Sequence, residues 1–417
     1  MEPRTASGEL RILTTCFDFR PGLGGIATVG HKLAEALDCR EGVAVRVLAP
    51  ARDGAKSFDD ATGLDIRRVA TGTTPLSSVI AYLRAIRREI GTWRPDVVLN
   101  LLWLPDGAAT CLATIGTRTP YFVFAHGVEV LESKRTFRKR VRGALAPVKR
   151  HVFRSAKSAL AVSSFTAAKL EDCGIPREQI SLVFGGVDPE EFAPAPKPEY
   201  LLARHGLHGC RVFVTVSRLH PYKGVDVAIA AFAEIARDEQ DVAYVVCGDG
   251  PDRPRLEELA RVHGIERRVH FTGPVPQSEL PAHYNLADAF VLLPREELWM
   301  PEAEGFGLVF LEAAACGKAA VAGRSGGVPD AVGATGWLVD PNDVVEVAGA
   351  MRAALAEDEA SRTARARIVR ERAVASFSWD AMADRVLVAA DAYRRRVAPA
   401  LREETAAGAT RETDVGG

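Results

Sequence analysis

The chain repeats one rhythm twice. Short runs rich in Val, Ile, Leu and Phe, without polar alternation, fall at 12–16, 43–48, 97–101, 121–125, 160–162 and 180–184. They return at 212–216, 243–247, 269–271, 290–293, 319–322 and 337–339. Half-exposed strands alternate apolar and polar residues; strands buried on both faces do not, and these belong to parallel sheets covered by helices. The stretches between, such as 26–38, 76–93 and 164–173, have helical length and spacing, the last with Ser163 and Ser164 as N-cap candidates. This β-α-β-α order implies an α/β fold built from doubly wound sheets.

The rhythm stops once, at Phe192-Ala-Pro-Ala-Pro-Lys-Pro198. Proline fixes φ and removes a backbone donor, so this segment reads as a linker. Each side holds roughly 180 residues, enough for its own core. The expected organisation is a first Rossmann-like domain over 1–192 and a second over 193–376. A helical segment over 377–400 and a disordered tail over 401–417 follow. Two such domains enclose one cleft, faced by the carboxyl ends of their strands, where ligands of these sheets bind.

Composition removes several other classes. Apolar residues make 47% and charged residues 26%, which argues against disorder. With 53 Lys+Arg against 54 Asp+Glu, the net charge of −1 supplies no field for nucleic acid, and no such partner is expected. No apolar run approaches the roughly 18 residues of a membrane span, and the first ten residues lack a signal-peptide core. The seven cysteines are scattered with no Cys-x-x-Cys, so neither a metal site nor a disulfide framework is expected. A cytoplasmic location fits these features best.

Three stretches carry chemistry. Pro21-Gly-Leu-Gly-Gly-Ile-Ala27 follows the first strand and opens a helix, where Gly24 and Gly25 let backbone N–H groups approach an anion. Read as Gly22-x-Gly24-x-x-Ala27 it also mimics a dinucleotide fingerprint, although the second strand ends in Leu48-Ala-Pro with no ribose-binding acid. Ser217-Arg-Leu-His-Pro-Tyr-Lys-Gly224 follows a strand of the second half. Arg218 and Lys223 there suit a diphosphate, one as a bidentate fork and the other as a point charge. In Glu304-Gly-Phe-Gly-Leu-Val-Phe-Leu-Glu312, the glycines make a loop and Leu308 begins a buried helix. The N–H groups of Gly307, Leu308 and Val309 would face an anion, flanked by two carboxylates able to accept sugar hydroxyls.

With Gly248-Asp-Gly-Pro251 and Gly185-Gly-Val-Asp188, these stretches occur in the order found in retaining GT-B enzymes of glycosyltransferase family 4, and the chain resembles that family from about 11 to 395. The resemblance implies two facing Rossmann-like domains, with the C-terminal helix returning to the first. It implies a nucleoside diphosphate sugar as donor and a small-molecule or lipid-linked acceptor, with neither a cofactor nor a metal. Arg218 and Lys223 would hold the diphosphate, Glu312 the ribose and Glu304 the transferred sugar. Phe306, Gly307, Leu308 and Val309 would supply backbone contacts. Gly24 and Gly25 would approach from the other domain, and His126 would lie near the donor sugar. Two features depart from the usual pattern: the loop 295–301 is longer than the shortest versions, and Gly185 stands where Asn is usual.

One further segment is basic. From Lys134 to Arg154 there are nine Lys/Arg and no acids, with Phe137, Val141, Leu145, Val148 and Val152 at helical spacing, interrupted by Gly143 and Pro147. Such a stripe either docks on the first domain's core or lies on an anionic inner-membrane surface. The expected activity is transfer of a hexose from a GDP- or UDP-linked donor to an acceptor hydroxyl, with retention. No Asp-x-Asp occurs to bridge a metal, and no carboxylate stands out as a nucleophile. Two alternatives remain from other classes: an NAD(P)-dependent nucleotide-sugar oxidoreductase using Gly22–Ala27, and a non-enzymatic membrane-surface scaffold using 134–154.

Overall fold

A computed structural model describes residues 9–22, 24–127, 145–296 and 302–393. The first sheet comprises β1 (Leu10–Thr15), β2 (Val43–Pro50), β3 (Asp65–Val69), β4 (Val97–Asn100), β5 (Tyr121–Ala125), β6 (Ser158–Ala161) and β7 (Ile180–Leu182). All seven strands are parallel, in the order β3-β2-β1-β4-β5-β6-β7. The second comprises β8 (Arg211–Val216), β9 (Val242–Cys247), β10 (Val269–Gly273), β11 (Ala289–Leu292), β12 (Ala320–Gly323) and β13 (Trp337–Val339). It is also parallel, in the order β10-β9-β8-β11-β12-β13. Strand order reverses between β1 and β4 and between β8 and β11. A crevice opens at the carboxyl ends of the strands at such points.

Twelve of these strands coincide with the apolar runs. β3 does not, because Asp-Ile-Arg-Arg-Val is an edge strand held by polar contacts. Arg68 forks onto the Asp59 carboxylate and donates to the carbonyls of Pro50 and Arg20. Ser163 caps the helix Ser164–Asp172, its hydroxyl accepting from Thr166 N–H.

The core is layered. One apolar cluster covers an outer face of the first domain, and another lies between the second sheet and the helices Val225–Ala236, Arg253–Val262 and Val344–Ala356. The largest cluster runs through both domains, from Ile12 and Val45 to Phe306 and Leu311, and includes Phe377, Met382 and Val386. Those last residues belong to the C-terminal return. The helix Glu359–Phe377 ends at extended Ser378, and a second helix continues over 379–393. Trp379 lies against Gly186, Arg40 pairs with Asp380 and Asp384 at 3.1 and 2.9 Å, and the Tyr393 ring meets Phe122 edge-on. The C-terminal helix therefore crosses back onto the first domain, as the resemblance implied.

Both passages between domains lie side by side. Val187 N–H donates to Phe377 O at 2.7 Å, and Arg370 reaches the carbonyls of Phe192 and Pro189. In the basic segment, Pro147 does not interrupt a helix; it sits in the first turn of one, Ala146–Ser155, where its missing N–H costs nothing. Val152 and Phe153 are buried, whereas Val148 is 46% exposed. The remainder of that segment, 134–144, lies outside the described residues, as does the tail 401–417.

Candidate active site

β8 leads into the turn that carries Lys223. Pro221–Lys223 forms one turn of 3₁₀ helix, and Gly224 then adopts φ 69°. A Cβ at Gly224 would overlap the Leu293 carbonyl, so only glycine lets this turn lie against the end of β11. The turn at 248–251 supports it from the other side. Leu219 N–H donates to Asp249 O at 2.9 Å, and any Cβ at Gly248 or Gly250 would strike the carbonyls of Ser217 or Leu219.

Lys223 is 9% exposed and donates from Nζ to Glu304 Oε2 at 2.5 Å. Burial works against the ammonium, but Glu304 and Tyr222 outweigh it and hold its pKa above the ordinary lysine value. Arg218, from the same turn, is exposed, and its guanidinium has no hydrogen bond or ion pair among the described residues. The structure thus brings Lys223, but not Arg218, into contact with the Glu304 loop.

That loop meets the first domain. A Cβ at Gly305 would overlap the His126 carbonyl oxygen, so the backbones of the two domains touch here. Phe306 stacks on Phe184 with centroids 5.7 Å apart. Gly307, at φ 92°, turns the chain into the helix Leu308–Ala315. The first amides of that helix, at Leu308 and Val309, have no intrahelical acceptor and point out of its N-terminus. Leu308 lies against Gly25 and Gly185; a Cβ at Gly185 would come within 2.6 Å of Leu308 Cδ2. Close approach explains the glycine found where Asn was expected. Gly24, at φ 121°, caps the helix Gly25–Asp38. The two glycines therefore sit across the cleft from the N-terminus of the Leu308 helix.

His126 ends β5. Its Nε2 lies 2.8 Å from Leu101 O, and since a carbonyl only accepts, Nε2 carries the proton. The ring stacks on Phe124. Glu312, one turn inside its helix, accepts from the Tyr284 hydroxyl at 2.6 Å. Burial pushes its carboxyl up to about 7, with the Tyr284 bond pulling the other way.

Sequence reasoning missed two elements. Nothing in the spacing of Tyr284 relates it to Glu312. Arg295, counted with the loop 295–301, is buried and forks onto Asp226 at 2.9 and 3.0 Å. It anchors the start of the loop to the helix Val225–Ala236; positions 297–301 lie outside the described residues. Among the described residues, no group of three His, Cys, Asp or Glu is placed to hold a metal, and no helix is long and apolar enough to cross a membrane.

Comparison with known proteins agrees with this geometry. The family model for Glycosyltransferase Family 4 matches residues 23–191, and that for Glycosyl transferases group 1 matches 203–371. The chain belongs to glycosyltransferase family 4. Among family 4 relatives, it is 33% identical over 384 residues to the GDP-mannose-dependent alpha-(1-6)-phosphatidylinositol monomannoside mannosyltransferase of Mycobacterium tuberculosis, covering 89% of this chain and 96% of that one. The protein of that description from Mycolicibacterium smegmatis is 34% identical over 349 residues, covering 82% and 88%. HepE of Anabaena, solved with UDP and glucose, shares the fold with a TM-score of 0.74 at 18% identity, covering 92% of this chain and all of that one. In this family 4 chain, Lys223 and the whole stretch Glu304–Glu312 fall within the group 1 match, and Gly24, Gly25 and His126 within the other.

Proposed function

We propose that this family 4 enzyme transfers a hexosyl group from a nucleoside diphosphate sugar to an acceptor hydroxyl with retention, and that the donor is GDP-mannose. The observation that carries the reading is the Lys223–Glu304 pair at the mouth of the Gly307-capped helix. Breaking the bond between the sugar and the β-phosphate places negative charge on the departing diphosphate. Of its three N–H donors, Lys223 keeps one after its bonds to Glu304 and Tyr222, and the Leu308 and Val309 amides add the positive end of a helix. Fixed donors facing developing charge in a partly desolvated cleft are a large term in such barriers. Arg218, exposed at the end of β8, would close onto the diphosphate from the solvent side. No metal or cofactor is invoked.

In the same reading Glu304 accepts from hydroxyls of the transferred sugar, Glu312 from the ribose, and Phe306 to Val309 offer backbone groups. His126 lies beside the sugar, and Gly24 with Gly25 completes the diphosphate cradle. Glu304 is bonded to Lys223 rather than poised to attack, which favours same-face attack by the acceptor, whose proton passes to the leaving phosphate. The choice of GDP-mannose follows from the two mycobacterial relatives, and a phosphatidylinositol mannoside is the acceptor we infer from them. A lipid-linked acceptor agrees with the helix Ala146–Ser155, which exposes Val148 as well as Arg150 and Arg154, and with peripheral contact at the inner membrane face.

Incubating the chain with labelled GDP-mannose or UDP-glucose and vesicles containing phosphatidylinositol monomannoside tests the proposal. Mannose transfer yielding an α-linked product is expected. Transfer from neither donor, or full activity in both Lys223→Ala and Glu304→Gln, would overturn it.

A further inference from the structure

Tyr284 belongs to none of the chemistry-bearing stretches. It lies on the short helix Leu280–Leu286, which joins β10 to β11, and its ring is fully buried between Phe192 and Phe290, with centroids 5.9 and 5.7 Å away. The helix is fastened to the linker: the Asn285 side chain accepts from Ala195 N–H and donates to Ala193 O, both at 2.9 Å. A tyrosine held this rigidly has one direction for its hydroxyl, and that direction ends on Glu312 Oε2. The second carboxylate oxygen, Oε1, takes no hydrogen bond among the described residues.

We propose that Tyr284 is the positioning residue of the nucleotide site: by donating to Oε2 it fixes the Glu312 carboxylate so that Oε1 remains for the ribose diol of the donor. Donor affinity then depends on a hydroxyl that never touches the donor. The inference rests on the reading of Glu312 as the ribose acceptor.

The surroundings make this contact sensitive to pH. Of the groups packed round Glu312, the Glu191 carboxylate on the linker side raises its pKa, beyond the larger effect of burial. Arg370, from the long C-terminal helix, spends its guanidinium on the carbonyls of Ala315, Phe192 and Pro189. His283 turns to Glu279 O, the Lys318 ammonium faces Asp288, and the Cys316 thiol, pushed up to about 12 by burial, is neutral. Tyr284 is therefore the side chain that donates to the ionised form. A diol bonds a carboxylate more strongly than a carboxylic acid, so donor affinity falls as Glu312 takes up its proton. Removing the tyrosine hydroxyl favours the protonated acid and moves that loss to higher pH.

The test is calorimetric titration of the full chain with GDP-mannose and with UDP-glucose, whose diphosphates keep their charge between pH 5.5 and 8.5. The proteins are wild type, Tyr284→Phe, Glu312→Gln and the double variant. Tyr284→Phe, which keeps the ring and its packing, is expected to weaken binding about ten-fold at neutral pH. It should also raise the pH midpoint of binding by about one unit, with kcat changed far less than the donor KM. The double variant should bind no worse than Glu312→Gln alone, because Tyr284 acts only through Glu312. An unchanged affinity and midpoint in Tyr284→Phe would overturn the positioning role, as would additive losses in the double variant. If wild type binds neither nucleotide sugar, the donor reading itself falls instead.

Discussion

Both domains wind a parallel sheet around a reversal of strand order, yet the two crevices differ in what their side chains do. At the β8/β11 reversal the charged groups face the cleft: Lys223 bonds Glu304, and Glu312 leaves one oxygen unbonded among the described residues. At β1/β4 the carboxylate turns inward. Asp106 is fully buried, with Oδ2 accepting from Phe17 N–H at 3.0 Å and Oδ1 without a hydrogen bond among the described residues, while the exposed Arg52 donates to Phe17 O. What the first domain offers the 305–308 stretch is backbone at Gly25, His126 and Gly185, together with the Phe184 ring against Phe306. One sheet plan thus supplies a crevice twice, while side-chain chemistry sets the two apart: in the proposed reading one grips a charged group and the other closes over it.

The widest gap between the two crevices should appear in Lys223→Ala. Loss of a desolvated cation that the proposed function sets against the leaving group is expected to lower kcat/KM by about 10³, whereas Arg52→Ala should cost less than about ten-fold; steady-state rates with a single donor compare the two. Next comes Gly305→Ala, whose methyl would occupy the position of the His126 carbonyl oxygen. Turnover should fall about a hundred-fold as the domains are held apart, with donor affinity, measured by calorimetry, nearly kept. If affinity fell as far as turnover, the division into gripping and closing halves would fail. Arg218→Ala, at an exposed position, is expected to lower kcat/KM only about ten-fold, and less still in high salt.

The smallest effect concerns stability. Burial pushes the Asp106 carboxyl up to about 8. Because the folded pKa lies above the unfolded one, its protonated form favours the fold. That contribution is complete below about pH 4 and is lost as pH rises through 8. Melting curves between pH 5 and 9 should therefore show wild type losing a few degrees more than Asp106→Asn. Parallel curves would mean that this carboxyl does not carry the pH dependence of the first domain.

Much of the architecture could be read from the sequence, because strands buried on both faces leave unbroken apolar runs. β3 could not, since Arg68 holds that edge strand through polar contacts formed with residues far from it in sequence. Within the site, Lys223, Glu304 and Gly307 were legible because their spacing encodes a turn, a charge and a helix start. Tyr284 and the Asp226–Arg295 fork were not: each is defined by a partner 28 or 69 positions away, and no local pattern records that meeting. Pro147 misled for the opposite reason. A proline breaks a helix or begins one depending on where the first turn falls, and here it begins one.

The paired passages between the halves have a mechanical consequence. With Val187 bonded to Phe377 O, and Arg370 stitched to Phe192 and Pro189, the outgoing and returning strands of chain act as two pins of one door hinge rather than as a swivel. Swinging about such an edge leaves the pins nearly still and gives the largest travel to whatever lies furthest from them. A sideways shear of one half over the other would have to tear both pins at once.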